Sequence, residues 1–179
     1  MKFEKLAQLR YSVRRFDQRP VEPKKLQLIL RAGQLAPSAK NSQSWRVLVL
    51  QGRQALEALK GCTPCHYHAP LALLVCSSDA GCYLRENDGK PSGQIDAAIA
   101  ATHMMLQACD LGIGSTWVMN FDAGKLRTAY KIPAQLEPMA LLVCGYPSQD
   151  VAISPRHNQR KPLEELCCYE SFEETTADQ

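Results

Sequence analysis

Residues 94–111 constrain most strongly what this chain can fold into. Ile95, Ile99, Met105, Leu106 and Cys109 supply apolar positions along a helix, and alanines fill the spaces between them. A helix so rich in alanine, and apolar around most of its circumference, should be buried on several sides. It is therefore either the central helix of the domain or part of a dimer interface. Gly112 is placed to stop it as a C-terminal cap.

The other elements are shorter. Residues 22–36 carry Leu26, Ile29, Leu30, Gly33 and Ala36 at helical spacing, and Pro23 is acceptable in the first turn. Residues 45–50 and 70–77 are apolar runs of strand length, as are 115–119 and 139–145. Residues 53–60 read as a short helix ending at Gly61, and Asp122 as the cap of a helix running to Tyr130. Residues 85–93, charged and carrying Asp88-Gly89, read as a mobile loop. About four strands interleaved with helices predict an α/β or α+β sandwich around one sheet. Several strands lack alternation, so helices should cover both sheet faces.

At 179 residues the chain suits one domain, or one domain that leans on a partner subunit. Residues 1–169 are expected to form it and residues 170–179 a polar tail. A net charge of +3, with the basic residues scattered, argues against a nucleic-acid partner. No apolar run approaches the roughly 20 residues of a membrane helix. Charge at Lys2, Glu4 and Lys5 stands where a signal peptide would be apolar, so a cytoplasmic protein is expected. The eight cysteines then read as reduced thiols, with Cys76, Cys109 and Cys144 as small core residues.

Four segments carry chemistry. In Arg10-Tyr11-Ser12-Val13-Arg14, two arginines and a hydroxyl at alternate positions can converge on a phosphate if the stretch is extended, although a solvated basic face is the commoner meaning of such a run. The polar loop Pro37-Ser38-Ala39-Lys40-Asn41-Ser42-Gln43 offers the paired donors and acceptors that the edge of a uracil-like ring requires, or is a plain turn after a helix. Residues 112–121 join a tight glycine turn to a strand ending at Trp117-Val118-Met119-Asn120, whose backbone can face a flat ligand. Taken alone, Trp117 reads as core. Arg160, in Asn158-Gln159-Arg160-Lys161, either belongs to a surface linker or returns to the same phosphate.

In sequence order and separation these segments resemble the FMN-dependent nitroreductase family, from about Leu6 to Leu166. The matching elements are Arg-x-Ser-x-Arg with Phe16, the Pro-Ser-x-x-Asn-x-Gln-x-Trp loop, and the buried helix running into Leu-Gly-Ile-Gly-Ser-Thr-Trp. Gly145-Tyr146-Pro147 and Arg160-Lys161-Pro162-Leu163 complete them. Tyr11 stands where many relatives carry Arg or His, and Ser44 where Pro is usual before Trp45.

The resemblance implies an α+β, three-layer α/β/α sandwich on a mixed, mainly antiparallel sheet, and an obligate homodimer with FMN at the interface. It implies that Arg10, Ser12 and Arg160 hold the FMN phosphate, that Tyr11 contacts the cofactor, and that Arg14 approaches the flavin N1 and C2 carbonyl edge. Pro37, Ser38 and Asn41 would come from the other subunit, and Ala39 would also contact the cofactor. Trp117, Val118, Met119 and Asn120 would border the ring, with a backbone N–H near Met119 facing N5. The reaction would be ping-pong: NADH or NADPH gives a hydride to N5 and leaves, then a small acceptor such as a nitroaromatic or quinone binds. No side-chain acid, nucleophile or metal ligand is required.

Alternatives stay open. Cys62-Thr63-Pro64-Cys65-His66 has the form of a haem-attachment or thiol site, so a thiol- or metal-binding module is one. A flavin-binding sensor without turnover is another. A specialised reductase of a halogenated aromatic or an enone is a third. His103, within the long helix, reads as a hydrogen-bonded core residue rather than a ligand.

Overall fold

The computed structural model describes residues 2–150 and 152–172. Four strands, β1 (Trp45–Leu50), β2 (Leu71–Ser77), β3 (Gly114–Val118) and β4 (Glu137–Gly145), form one sheet in the order β1-β2-β4-β3. All three ladders are antiparallel, with Leu50 opposite Ala72, Leu71 opposite Cys144 and Gly114 opposite Gly145. The parallel component of the expected mixed sheet is a single bridge between Ser12 and Ser115.

β2 is buried along its whole length because it has a neighbour on each edge and a helical layer on each face. Side chains alternate across a strand. Leu71, Leu73 and Val75 therefore meet the cluster of Ile29, Ala97, Ala101 and Met104 on one face. Ala72, Leu74 and Cys76 meet Leu59, Leu126 and Val13 on the other. The first layer is α2 (Pro23–Gln34) with α4 (Gly93–Asp110), and the second is α3 (Arg53–Lys60) with α5 (Ala123–Tyr130). Two helices were not anticipated: α1 (Phe3–Leu9) and the single turn α6 (Leu163–Leu166). Both are too short and too exposed to leave a clear apolar period in the sequence. The final residues 173–179 of the expected tail lie outside the described residues, and no described helix is long and apolar enough to cross a membrane.

Some local expectations change. α4 buries Ala97, Ala100, Ala101, Met104 and Ala108 on one side only, while Ile95 is 64% exposed and Ile99 and Leu106 are half-buried. His103 is exposed on that open side, its Nδ1 at 2.9 Å from the Ile99 carbonyl, so it is hydrogen-bonded but not core. Cys76 and Cys144 are core, whereas Cys109 is half-buried. The cap at Gly112 stands: its φ is +73°, and Ile113 N–H closes on the Ala108 carbonyl at 2.8 Å. In residues 85–93, Arg85 clasps the Asp88 carboxylate, and Leu84 pairs with Pro91.

Candidate functional site

Residues 10–14 run extended along the start of β3, as a convergence of alternate side chains requires. Val13 N–H donates to the Ser115 carbonyl at 3.0 Å, and Thr116 Oγ1 donates to the Val13 carbonyl. Val13 is 1% exposed and sits against Gly114, where a Cβ would come within 2.4 Å of its Cγ2. Pinning Val13 inward leaves Ser12 half-buried and Arg14 exposed on either side of it.

Arg10, Tyr11, Ser12 and Arg14 line a cavity of about 220 Å³ together with Ser154, Arg156, His157 and Arg160. Four guanidiniums and two serine hydroxyls face it, and among the described residues no carboxylate does. This is the donor set of an anion site, since guanidiniums and hydroxyls match phosphate oxygens in number and geometry. His157 is fastened from outside, its Nε2 2.9 Å from the Gln8 carbonyl and its ring edge-on to Tyr11 at 6.3 Å. Arg160 reaches the cavity from a chain turn in which its own guanidinium bonds the Gln159 carbonyl at 2.8 Å. Ser154, Arg156 and His157 were missed by sequence reasoning. The signal available was a second run of positive residues, Arg156 to Lys161, in an otherwise irregular connection.

The loop at 37–43 is built differently and lies outside that cavity. Lys40, Asn41 and Gln43 all take left-handed φ near +50° without being glycine. Such conformations persist only where the surroundings hold them. Here Ala39 N–H donates to Asp96 Oδ1 at 2.9 Å, and Gln43 N–H donates to Ser38 Oγ at 3.0 Å. Ser38 and Ala39 line a separate cavity of about 650 Å³ with Tyr83, Ile95 and Ile99 at the start of α4. Lys40 Nζ lies 4.8 Å from the Tyr83 ring centre.

At the end of β3, Trp117 is half-buried and packs into the α2–α4 core, and Val118 is 3% exposed in the opposite core. These two side chains are anchors, leaving backbone as what they can offer a ligand. Met119, by contrast, is 62% exposed. The Asn120 carbonyl accepts from Thr63 Oγ1 at 2.5 Å, and its Nδ2 lies 3.9 Å from Cys65 Sγ.

The cysteine-containing segment at 62–68 therefore borders this strand end. Cys62 is buried and donates to the Ala58 carbonyl at 3.4 Å, and burial pushes its thiol up. The Tyr67 phenol interacts with both Cys65 and Arg14: Cys65 and burial raise it above the usual range, and Arg14 pulls it back. Segment 62–68 thus touches the two sequence-predicted groups, Arg14 and Asn120, that the chain order keeps apart. Burial draws His66 down, with the neighbouring His68 acting the same way. Among the described residues no three His, Cys, Asp or Glu side chains come together as a metal-binding group.

The model of the nitroreductase family matches residues 7–63 and 60–146. A nitroreductase family protein from Clostridium difficile 630 has a solved structure that is 38% identical, with a TM-score of 0.89 over 96% of this chain and 99% of its own. An FMN-dependent nitroreductase from Clostridium difficile R20291 is 25% identical, with a TM-score of 0.76 over 93% of this chain and 98% of its own. The FMN reductase (NAD(P)H) of Bacillus subtilis strain 168 is 28% identical over 163 residues, covering 81% of this chain and 66% of that enzyme. Matched by the family model along most of its length, with the layered architecture those structures share, the chain belongs to the nitroreductase family.

Proposed function

We propose that this chain is a homodimeric flavoenzyme that binds FMN, takes electrons from NADH or NADPH, and passes them to a small organic acceptor of the nitroaromatic or quinone class. The observation that carries it is the cavity in which Arg10, Ser12, Arg14, Arg156 and Arg160 meet, with no carboxylate among the described residues lining it. A phosphate monoester, close to doubly negative at neutral pH, needs such surroundings. The residues present fit FMN at its charged end.

When bound, FMN supplies a ring that accepts a hydride and hands electrons on. The chain's own part is to hold and orient. Arg14 would supply the cation for the ring edge that gains negative charge on reduction, and the Tyr67 phenol interacts with it. Met119 follows the last ladder pair, Val118 with Leu141, so its backbone is carried by a strand that both cores anchor. Thr63 fixes the Asn120 carbonyl and with it the turn beyond β3. No side chain needs to act as acid, base or nucleophile.

Two observations support a second copy in the site. The 37–43 loop lies outside the arginine cavity of its own chain. The open side of α4 shows Ile95, Ile99 and Leu106, an apolar stripe of the kind that marks an interface. All eight cysteines are unpaired, as suits the reducing cytoplasm.

The test is the absorption spectrum of the purified protein, followed by addition of NADH or NADPH. A yellow flavin band that bleaches and returns when a quinone is added is the expected result. Zinc or haem in place of flavin sinks the proposal, and a flavin that neither nicotinamide reduces makes the protein a binding module instead. Arg14→Ala is expected to weaken FMN binding and slow its reduction. Unchanged binding and reduction remove Arg14 from the site.

A further inference from the structure

Asp96 stands in the first turn of α4 and is 1% exposed. Its carboxylate accepts four hydrogen bonds and faces no cation among those partners. Oδ1 takes the Ala39 N–H at 2.9 Å. Oδ2 takes the hydroxyls of Ser92 at 2.8 Å, Ser42 at 3.0 Å and Ser44 at 3.3 Å. A buried carboxylate is costly unless its lone pairs are filled, and here neutral donors fill them. Three of the four donors belong to the 37–44 stretch, so the helix grips the loop through one side chain. The grip spans the residues with left-handed backbone: Ala39 precedes Lys40 and Asn41, Ser42 follows them, and Ser44 follows Gln43. Bonds inside the loop shape it, Asn41 N–H to the Ser38 carbonyl and Gln43 N–H to Ser38 Oγ, and Asp96 ties it to a rigid element.

We propose that Asp96 is the positioning residue for the second wall of the flavin site, setting the backbone at Ser38 to Asn41 so that it faces the FMN held by the arginines of the partner chain. This rests on the reading that the 37–41 loop contacts FMN. An amide at this position keeps the size but turns one acceptor into a donor, so either the Ala39 N–H or the hydroxyls clustered on Oδ2 lose the acceptor they have.

The experiment compares wild type, Asp96→Asn and Ser42→Ala by FMN titration, and by the visible absorbance and circular dichroism of the flavin at saturation. Asp96→Asn is expected to weaken FMN binding about tenfold and to shift the bound-flavin spectrum, with Ser42→Ala about threefold weaker in the same direction. A role confined to stability would leave the spectrum of the saturated protein unchanged. Ser42→Ala removes one hydroxyl only, so the comparison survives if Asp96→Asn does not fold. A mixed dimer of one Arg10→Ala/Arg14→Ala subunit and one Asp96→Asn subunit, isolated with two affinity tags, reads the geometry. Acting across the interface, the defects fall in one site, and the other binds FMN with wild-type affinity. Acting within a chain, they spoil both sites, and the absence of any wild-type site overturns the proposal. Wild-type affinity and spectrum in both Asp96→Asn and Ser42→Ala, while Arg14→Ala still weakens binding, also overturn it and leave the flavin function standing. Intact FMN binding in Arg14→Ala instead strikes at the function itself.

Discussion

Gly114→Ala is the substitution that most directly couples packing to the candidate site. Gly114 is not in the left-handed region, so an alanine meets no backbone penalty and the effect is steric alone. Its Cβ would lie 2.4 Å from Val13 Cγ2, 2.9 Å from Val13 Cβ and 3.1 Å from Pro147 Cγ. Against a normal carbon–carbon separation of ~3.5–4.0 Å, the first contact is more than about 1 Å too short. Val13 cannot swing away. It is β-branched and buried, and both its N–H and its carbonyl are bonded to β3. The strand and residues 12–14 must therefore separate, at the upper end of the ~1–3 kcal/mol that overpacking costs, about 2–3 kcal/mol. For a chain of this length that lowers Tm by about 4–12 °C. The same displacement moves Ser12 and Arg14 relative to Arg160, so FMN affinity should fall by about tenfold or more. Urea unfolding of the apoprotein at fixed protomer concentration, and FMN titration by flavin fluorescence, measure the two effects separately. Adding Val13→Ala removes the Cγ2 contact but keeps the Cβ contact at 2.9 Å. The double variant should then lose less than the sum of the two single losses, by about 1 kcal/mol or more. If Gly114→Ala costs less than about 0.5 kcal/mol and leaves FMN affinity alone, Val13 does not lock the arginine segment to the sheet, and the reasoning fails.

Three further outcomes follow from the same structure. Arg156→Ala should weaken FMN binding by about fivefold to tenfold and flatten its salt dependence, because the guanidinium faces the anion cavity; equal affinity at low and high salt in wild type and variant would place Arg156 outside the site. Burial pushes the Cys144 thiol up to about 12 and Cys76 to about 11 from an ordinary 9.0. The unfolded chain therefore loses these protons first, and stability present below pH 9 should drain away as pH rises toward 12. For Cys144 the slope is at most about 1.4 kcal/mol per pH unit, so urea midpoints that are equal at pH 8 and pH 10 would show that the thiol is not shielded. Alkylation of the native protein at pH 8 should reach exposed Cys167 and Cys168 and spare Cys144.

Most of the architecture was legible because its signals are local. The runs at 45–50 and 53–60 fold over those same residues, and Asp122 caps α5 by accepting the Lys125 N–H at 2.9 Å. Gly112 ends the long helix because a left-handed residue is needed there, and its neighbours show it. The first arginine segment and Arg160 were also legible as charge, and the structure brings them to one cavity. What stayed hidden depends on distance along the chain. Arg156 and His157 look like any surface residues until the chain returns to residues 10–14. Ser44, which departs from the family's usual proline, gains its meaning only from Asp96, 52 residues away. Segment 62–68 invited a metal or haem reading from its own spacing, yet its neighbours are Arg14 and Asn120.

The amino-acid sequence by itself determined most of the elements and the positive charge of the candidate site, because periodicity, caps and charge act over a few residues. Only the tertiary structure decided which charges share a cavity and which helix side stays open. It also decided which carboxylate grips the 37–44 loop. Those outcomes follow from sheet order and layer packing, which set residues 50–150 positions apart side by side. The alanine-rich helix shows the division: its apolar circumference was plain in the sequence, but its own chain covers one side and leaves Ile95 exposed on the other.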